Sequence, residues 1–223
     1  MRIGTGQSSG MGDILLLTAI CKHFPDCDVE LLTGLERFGR FFEGQSKSIT
    51  YTDHPVDLPN LGNGHYAKCK LNSVGLRNHC YLPHVVVSEE ERAVGEELIE
   101  YRESVMALVA NTSPKWKEQR EVSTEYWENF VRLIKEERDV TVLQFGVSSN
   151  FTPIKGTIPI VDLSIQDLIC AYSVIGEMAS VDTGDRHLML ACGGISWVAR
   201  RQTYKDHHRW TYNSDRDKTL IYV

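Results

Sequence analysis

No run of apolar residues in this 223-residue chain approaches the ~20 that a helix needs to span a bilayer. Its first residues, MRIGTGQSSG, hold no apolar core of the signal-peptide kind. Both absences lead to the expectation of a cytoplasmic protein without a membrane span. The six cysteines (Cys21, Cys27, Cys69, Cys80, Cys170 and Cys192) form no Cys-x-x-Cys pair and no zinc-type spacing. In a reducing compartment such residues are free thiols, mostly buried. There is no excess of positive charge: 24 Lys and Arg against 30 Asp and Glu leave a formal net charge of −6. Bulk attraction to nucleic acid is therefore disfavoured, and only a local basic patch could supply it. Solenoid-type repeats and low-complexity stretches are absent too.

What is present is alternation. RIGTG (2–6), DVELLTG (28–34), SITYTD (48–53), VMALVAN (105–111), VTVLQFG (140–146) and MASV (178–181) read as strands. Between them, DILLLTAICKHF (13–24), a short RFGRFFEG (37–44), HYAKCKLNSVGL (65–76), 89–102, TEYWENFVRLIKEE (124–137), IQDLICAYSVIG (165–176) and about 185–192 read as helices. Ser88 with Glu91 is a capping box opening the fourth of these, and Ser164 can cap the sixth. On the fifth, Tyr126, Phe130, Leu133 and Ile134 form one stripe. The segments 112–123 and 147–163, the latter with Pro153 and Pro159, read as loops. Strand–helix alternation implies parallel sheets covered by helices. A break near 103–106 gives two small doubly wound α/β domains facing a central cleft, 1–104 and 105–223. Ligands of such sheets sit at the carboxyl ends of strands, where helices begin.

Two turns occupy that position. In SSGMGDILLL (8–17), Gly10 and Gly12 permit close backbone approach or positive φ, and Asp13 stands in the first helical turn. Asp13 either caps the helix or faces the cleft as a general base. In VDTGDRHLML (181–190), Asp182 or Thr183 can cap a helix, and Gly184 clears side chain from its first turn. This is either an ordinary capped helix with a surface histidine, or an anion site built from exposed amides.

Taken together and in order, these turns resemble the heptosyltransferases, family nine of the glycosyltransferases, whose fold is the two-domain GT-B type. Gly12, Asp13, Ile14 and Leu15 match the family's opening G-D-[IV]-[LV]. Lys115, Lys117 and Arg120 stand where it has bases, Trp127 and Phe130 follow on a helix, and Gln144 to Gly146 end a strand. Asp182, Thr183, Gly184, His187 and Leu188 match D-[ST]-G-x-x-H-L. The resemblance implies Rossmann-like halves, the first on the acceptor side and the second binding a nucleotide-sugar. It implies sugar transfer with inversion and no required metal, the nucleotide-sugar being substrate rather than cofactor. Asp13 would be the general base, and Thr183 and Gly184 would receive the diphosphate. A base from Lys115, Lys117 or Arg120 would neutralise it, and Gln144 and Gly146 would line the nucleoside pocket. Asp182 and His187 complete the donor set. The family often has Pro after D-[ST]-G. Here Asp185 follows, and an acid beside a diphosphate requires either Arg186 to offset it or sugar hydroxyls to bind it.

The stretch 199–218 is the most basic and aromatic part, with Arg200, Arg201, Lys205, His207, His208 and Arg209 among Tyr204, Trp210 and Tyr212. It reads either as a solvated loop over the donor cleft or as a nucleic-acid contact, since cations position phosphates and aromatics stack bases. The acceptor is accordingly either a hydroxymethylated base in DNA, in a compact phage enzyme of the host cytoplasm, or a saccharide of lipopolysaccharide type. A non-catalytic nucleotide-sugar-binding protein is the alternative.

Overall fold

The computed structural model of the chain describes residues 1–4, 6–7, 10–59, 66–76, 81–100, 102–201, 212 and 214–222. Strand β1 (Arg2–Gly4) leads into α1 (Met11–Cys21), then β2 (Asp28–Leu32) and β3 (Ser48–Thr52). These strands form a parallel sheet in the order β1-β2-β3, with Ile3 opposite Val29 and Val29 opposite Ile49. A 3₁₀ stretch, Glu36–Phe42, lies between β2 and β3. The helices α2 (Tyr66–Ser73) and α3 (Glu89–Leu98) follow. The capping box is present: Glu91 N donates to Ser88 Oγ at 3.2 Å, and Ser88 N to Glu91 Oε2 at 2.7 Å.

The second sheet begins with β4 (Val105–Val109). A 3₁₀ turn Pro114–Trp116 and a short α4 (Lys117–Arg120) occupy the segment expected as a loop. Pro114 favours this, because its fixed φ suits the first position of a helical turn. Then come α5 (Thr124–Glu137), β5 (Thr141–Gly146), β6 (Ile158–Val161), α6 (Ile165–Ile175), β7 (Glu177–Ser180), α7 (Gly184–Ala191), β8 (Ile195–Arg201) and β9 (Asp217–Tyr222). All six strands are parallel, in the order β6-β5-β4-β7-β8-β9. Strand β6 corrects the loop reading of 147–163. Pro159 lies in it opposite Gln144, and an edge strand tolerates proline because one side needs no ladder hydrogen bond.

Helix α1 is buried around its whole circumference, from Ile14 to Cys21. A helix apolar on every side belongs inside a fold. Here it lies in a core shared by both sheets, which also holds Ile3, Val29, Val109, Phe145 and Tyr172. Helix α5 covers the opposite face of the second sheet. Its stripe is centred on Trp127 and Val131, each 1% exposed, whereas Leu133 is 49% exposed and faces solvent. Fully burying a side chain such as Val131 contributes about 1.5–3 kcal/mol. Helix α3 packs on α6, and Arg40 Nε donates to Glu91 Oε1 at 2.9 Å, tying the first half's 3₁₀ stretch to that pair. Four cysteines, Cys21, Cys27, Cys69 and Cys170, are buried free thiols, and Cys192 is partly buried. No described helix is long and apolar enough to cross a membrane.

The α3–α6 contact requires Gly95. A Cβ there would lie 2.2 Å from the Cys170 carbonyl oxygen, which is backbone and cannot turn aside. Gly95→Ala is expected to destabilise the fold by about 1–3 kcal/mol, the usual effect of overpacking. A lowered urea midpoint at unchanged slope checks this.

Candidate functional site

In the six-stranded sheet, β4 and β7 are neighbours from which the chain departs in opposite directions, β5 and β6 on one side and β8 and β9 on the other. Ligands bind outside the carboxyl ends of strands at such a switch point. A cleft of about 510 Å³ lies there. Asn111 and Thr112 after β4, Gly146 and Asn150 after β5, and Thr183 and Gly184 after β7 line its second-sheet wall. Gly10, Gly12 and Asp13, at the start of α1, line the wall opposite.

The two walls meet through a reciprocal contact. Helices α1 and α7 pack together. A Cβ on Gly12 would fall 2.8 Å from His187 Cδ2, and one on Gly184 would fall 2.7 Å from Met11 Cε. Each glycine thus makes room for a side chain of the other helix. For Gly10 and Gly12 it is close approach that matters, since Gly10 has an ordinary φ of −75° and Gly12 is helical. The space beside Gly184 is filled by Met11 rather than left open. Both helices direct their amino ends, each equivalent to about half a positive charge, into one cleft.

Behind α7 lies a buried ionic cluster. Arg186 has no exposed side-chain surface. Its Nη1 donates to Asp182 Oδ1 at 2.8 Å, its Nη2 to Asp217 Oδ2 at 2.6 Å and its Nε to Asp217 Oδ1 at 3.1 Å. Burial works against this charge, but Asp182 and Asp217 outweigh it and hold the guanidinium pKa above its ordinary value. Asp217 Oδ2 also accepts from the Tyr212 backbone N–H at 2.6 Å. The Tyr212 hydroxyl in turn hydrogen-bonds His187 Nδ1 at 2.6 Å. Burial pushes the Tyr212 phenol well above its usual range, so the hydroxyl keeps its proton.

Asp182 therefore does not cap α7. Thr183 occupies the cap position, but its side chain caps nothing. Its Oγ1 is buried without a hydrogen-bond partner among the described residues, and so is Arg120 Nε. Arg120 lies over the Trp116 ring at 4.7 Å, and its Nη1 donates to the Asp182 carbonyl at 2.8 Å. The cleft wall thus holds the Arg120 guanidinium, whose Nε, like Thr183 Oγ1, has no hydrogen-bond partner among the described residues.

No family model matches the sequence, and no curated protein does. Solved structures do match in shape. A family 9 glycosyl transferase from Veillonella parvula superposes with a TM-score of 0.74 at 10% identity, over 99% of this chain and 85% of that one. The ADP-heptose lipopolysaccharide heptosyltransferase II of E. coli gives 0.66 at 9%, over 100% and 90%. The E. coli heptosyltransferase WaaC, solved with ADP, gives 0.52 at 13%, over 100% and 91%. The fold is GT-B, shared with these solved structures.

Within this GT-B fold the sequence-derived residues divide. Asp13, Arg120, Gly146, Asp182, Thr183, Gly184 and His187 come together at the cleft with Gly10 and Gly12. His187 is not a surface histidine, being 5% exposed. Lys115 and Lys117 stay outside: Lys115 Nζ sits 5.2 Å over the Trp116 ring, and Lys117 pairs with Glu121 at 3.6 Å. Gln144 is wholly buried and does not line this cleft. Its amide donates to Thr152 O at 2.8 Å and accepts from Ile154 N at 2.8 Å, so it shapes the 152–157 loop instead. Arg186 does not offset Asp185, because its guanidinium is turned to Asp182 and Asp217. Asp185 accepts from the Tyr172 hydroxyl at 2.9 Å. Arg200 is 6% exposed within β8, and Arg201 donates to the Glu121 and Glu118 carbonyls. Neither offers a free charge to a phosphate backbone. Lys205, His207, His208 and Arg209 lie outside the described residues. Sequence reasoning missed Asn111, Thr112, Trp116 and Asn150 as lining, and Asp217 as support. The polar NTSPKW that follows buried β4 at the switch point was the available signal for the first three.

Arg186→Met removes the guanidinium that lies between the buried Asp182 and Asp217 carboxylates. Breaking such a cluster costs about 3–5 kcal/mol. Urea unfolding is expected to show that loss, and Asp217→Asn a smaller one.

Proposed function

We propose that the chain transfers a sugar from a nucleotide-sugar to an acceptor hydroxyl, with 105–223 as the donor side and 1–104 as the acceptor side. The observation that carries this is the convergence of the α1 and α7 amino ends on one cleft, with Asp13 on one wall and Thr183 and Arg120 on the other. As the sugar–phosphate bond breaks, negative charge grows on the departing diphosphate. Amides at the start of α7 and the Arg120 guanidinium are already oriented to receive it, which lowers the barrier without reorganisation. The Thr183 hydroxyl adds a donor. Asp13 takes the acceptor's proton as its oxygen attacks the anomeric carbon from the opposite side, inverting the configuration. The protein's own cation and amides serve in this reading, and no metal is required. His187, oriented by Tyr212, borders the same space.

A saccharide acceptor is the favoured reading. Solved proteins of this fold are named for ADP-heptose and lipopolysaccharide. The buried Arg200 and the engaged Arg201 give a duplex-DNA acceptor no support. ADP is accordingly the first probe of the donor site.

If the donor site is as described, ADP raises the melting temperature, since ligand at a hundredfold excess over Kd stabilises by about 2.7 kcal/mol. A panel of nucleoside diphosphates that leaves it unmoved sinks the donor reading. Asp13→Asn is expected to lower transfer by roughly 10²–10⁴-fold while preserving the ADP shift. Transfer at the wild-type rate would show that Asp13 is not the base.

A further inference from the structure

The cleft does not end at α7. A second cavity of about 550 Å³ adjoins it, and the two share Met11, Gly146, Val147 and Asp185 as lining. The rest of the second cavity is chiefly apolar, with Phe38, Phe145, Ile160, Leu163 and Leu168. Asp185 is thus the carboxylate at the junction of the two spaces.

Its aim is fixed from behind. The Tyr172 hydroxyl donates to Oδ1 at 2.9 Å. Tyr172 is itself wholly buried and packs edge-to-face on Phe145, with ring centroids 5.1 Å apart, so it has no room to swing away. Among the described residues no Lys or Arg pairs with Asp185, the adjacent Arg186 being held by Asp182 and Asp217. An ionised carboxylate only accepts hydrogen bonds. Next to an anion site it repels phosphate, and the repulsion is stronger in a partly desolvated cleft. What suits it is a neutral donor that arrives with the ligand: a hydroxyl.

Resting on the donor-site reading above, we propose that Asp185 selects the donor by accepting a hydrogen bond from one of its sugar hydroxyls, with Tyr172 as the positioning residue. The ribose and the transferred sugar both carry vicinal hydroxyls, and either can supply the group. Burial pushes the Asp185 carboxyl above its ordinary pKa, partly opposed by the Tyr172 hydrogen bond. A ligand hydroxyl would give this partly buried carboxylate a second hydrogen-bond donor beside Tyr172. Asp185 then stands beside a diphosphate as a reader of what the diphosphate is attached to.

Calorimetric titration of the full chain tests this with inorganic pyrophosphate, ADP, 2′-deoxy-ADP, 3′-deoxy-ADP and an ADP-hexose. In Asp185→Asn the amide oxygen still accepts from Tyr172, so the local fold is retained. This variant is expected to weaken the hydroxyl-bearing ligand by roughly 10- to 100-fold, the range for a lost hydrogen bond to a charged group. Pyrophosphate binding should stay unchanged or tighten. Tyr172→Phe should weaken the same ligand less and again spare pyrophosphate, which a merely structural loss would not do. An effect on ADP that disappears with a deoxy analogue identifies the ribose. One confined to the ADP-hexose identifies the transferred sugar. The proposal is overturned if Asp185→Asn leaves ADP and ADP-hexose both unchanged, or weakens pyrophosphate equally. If the wild-type chain binds none of the probes, the donor-site reading fails and this inference falls with it.

Discussion

The candidate site depends on a guanidinium that never reaches it. Arg186 sits with no exposed surface between Asp182 and Asp217, and the turn after β7 and the start of β9 are both held to that position. Asp182 is on the turn after β7, Arg186 is in α7, and Asp217 opens β9. Three separate parts of the chain are thereby held at one point. The pull of two carboxylates offsets the desolvation of one cation through a bidentate pairing with Asp217 and a further hydrogen bond to Asp182. Through Tyr212 the cluster extends to His187, and through the Asp182 carbonyl to Arg120. The cleft receives an oriented imidazole and an oriented guanidinium from a buried cluster that meets it at Asp182.

This division of labour explains the character of the turn 181–190. Its charges read as one patch in sequence, yet they face three ways. Asp182 and Arg186 face each other inside the protein, His187 faces α1, and Asp185 faces the junction of two cavities. On a short helix, neighbouring residues are about 100° apart in direction, so adjacent charges need not share an environment. In the proposed donor site, the parts of this wall that would meet the diphosphate are the backbone at Thr183 and Gly184 and the Arg120 guanidinium.

The parallel sheets, the order of helices and the position of the cleft were legible in the alternation of segments, because period and capping are local properties. Ser88 with Glu91 forms the expected capping box, and Ser164 caps α6 as expected, in a box that Asp167 completes. Edge strand β6 was not legible, since Pro159 is a strand breaker everywhere except at an edge, and edges are decided by tertiary order. Nor was β9, a short apolar run set among charges. Asp13, Thr183 and Gly184 could be placed by their turns. The roles of Lys115, Lys117, Gln144 and Arg201 could not, because a polar side chain near a strand end serves either the cleft or a neighbouring loop. Only the three-dimensional path of 112–123 and 147–157 decides between them.

The paired glycines at the α1–α7 contact carry a consequence for how such a cleft can be altered. With Met11 seated over Gly184 and His187 over Gly12, the separation of the two walls is set by side-chain thickness at two points rather than by a flexible connection. The contact works like a pair of shims. One carbon added at either glycine acts as a wedge between the helices and changes the gap between Asp13 and the turn at Thr183. The width of the cleft is therefore written in the smallest residues of the chain, and it can be tuned from there.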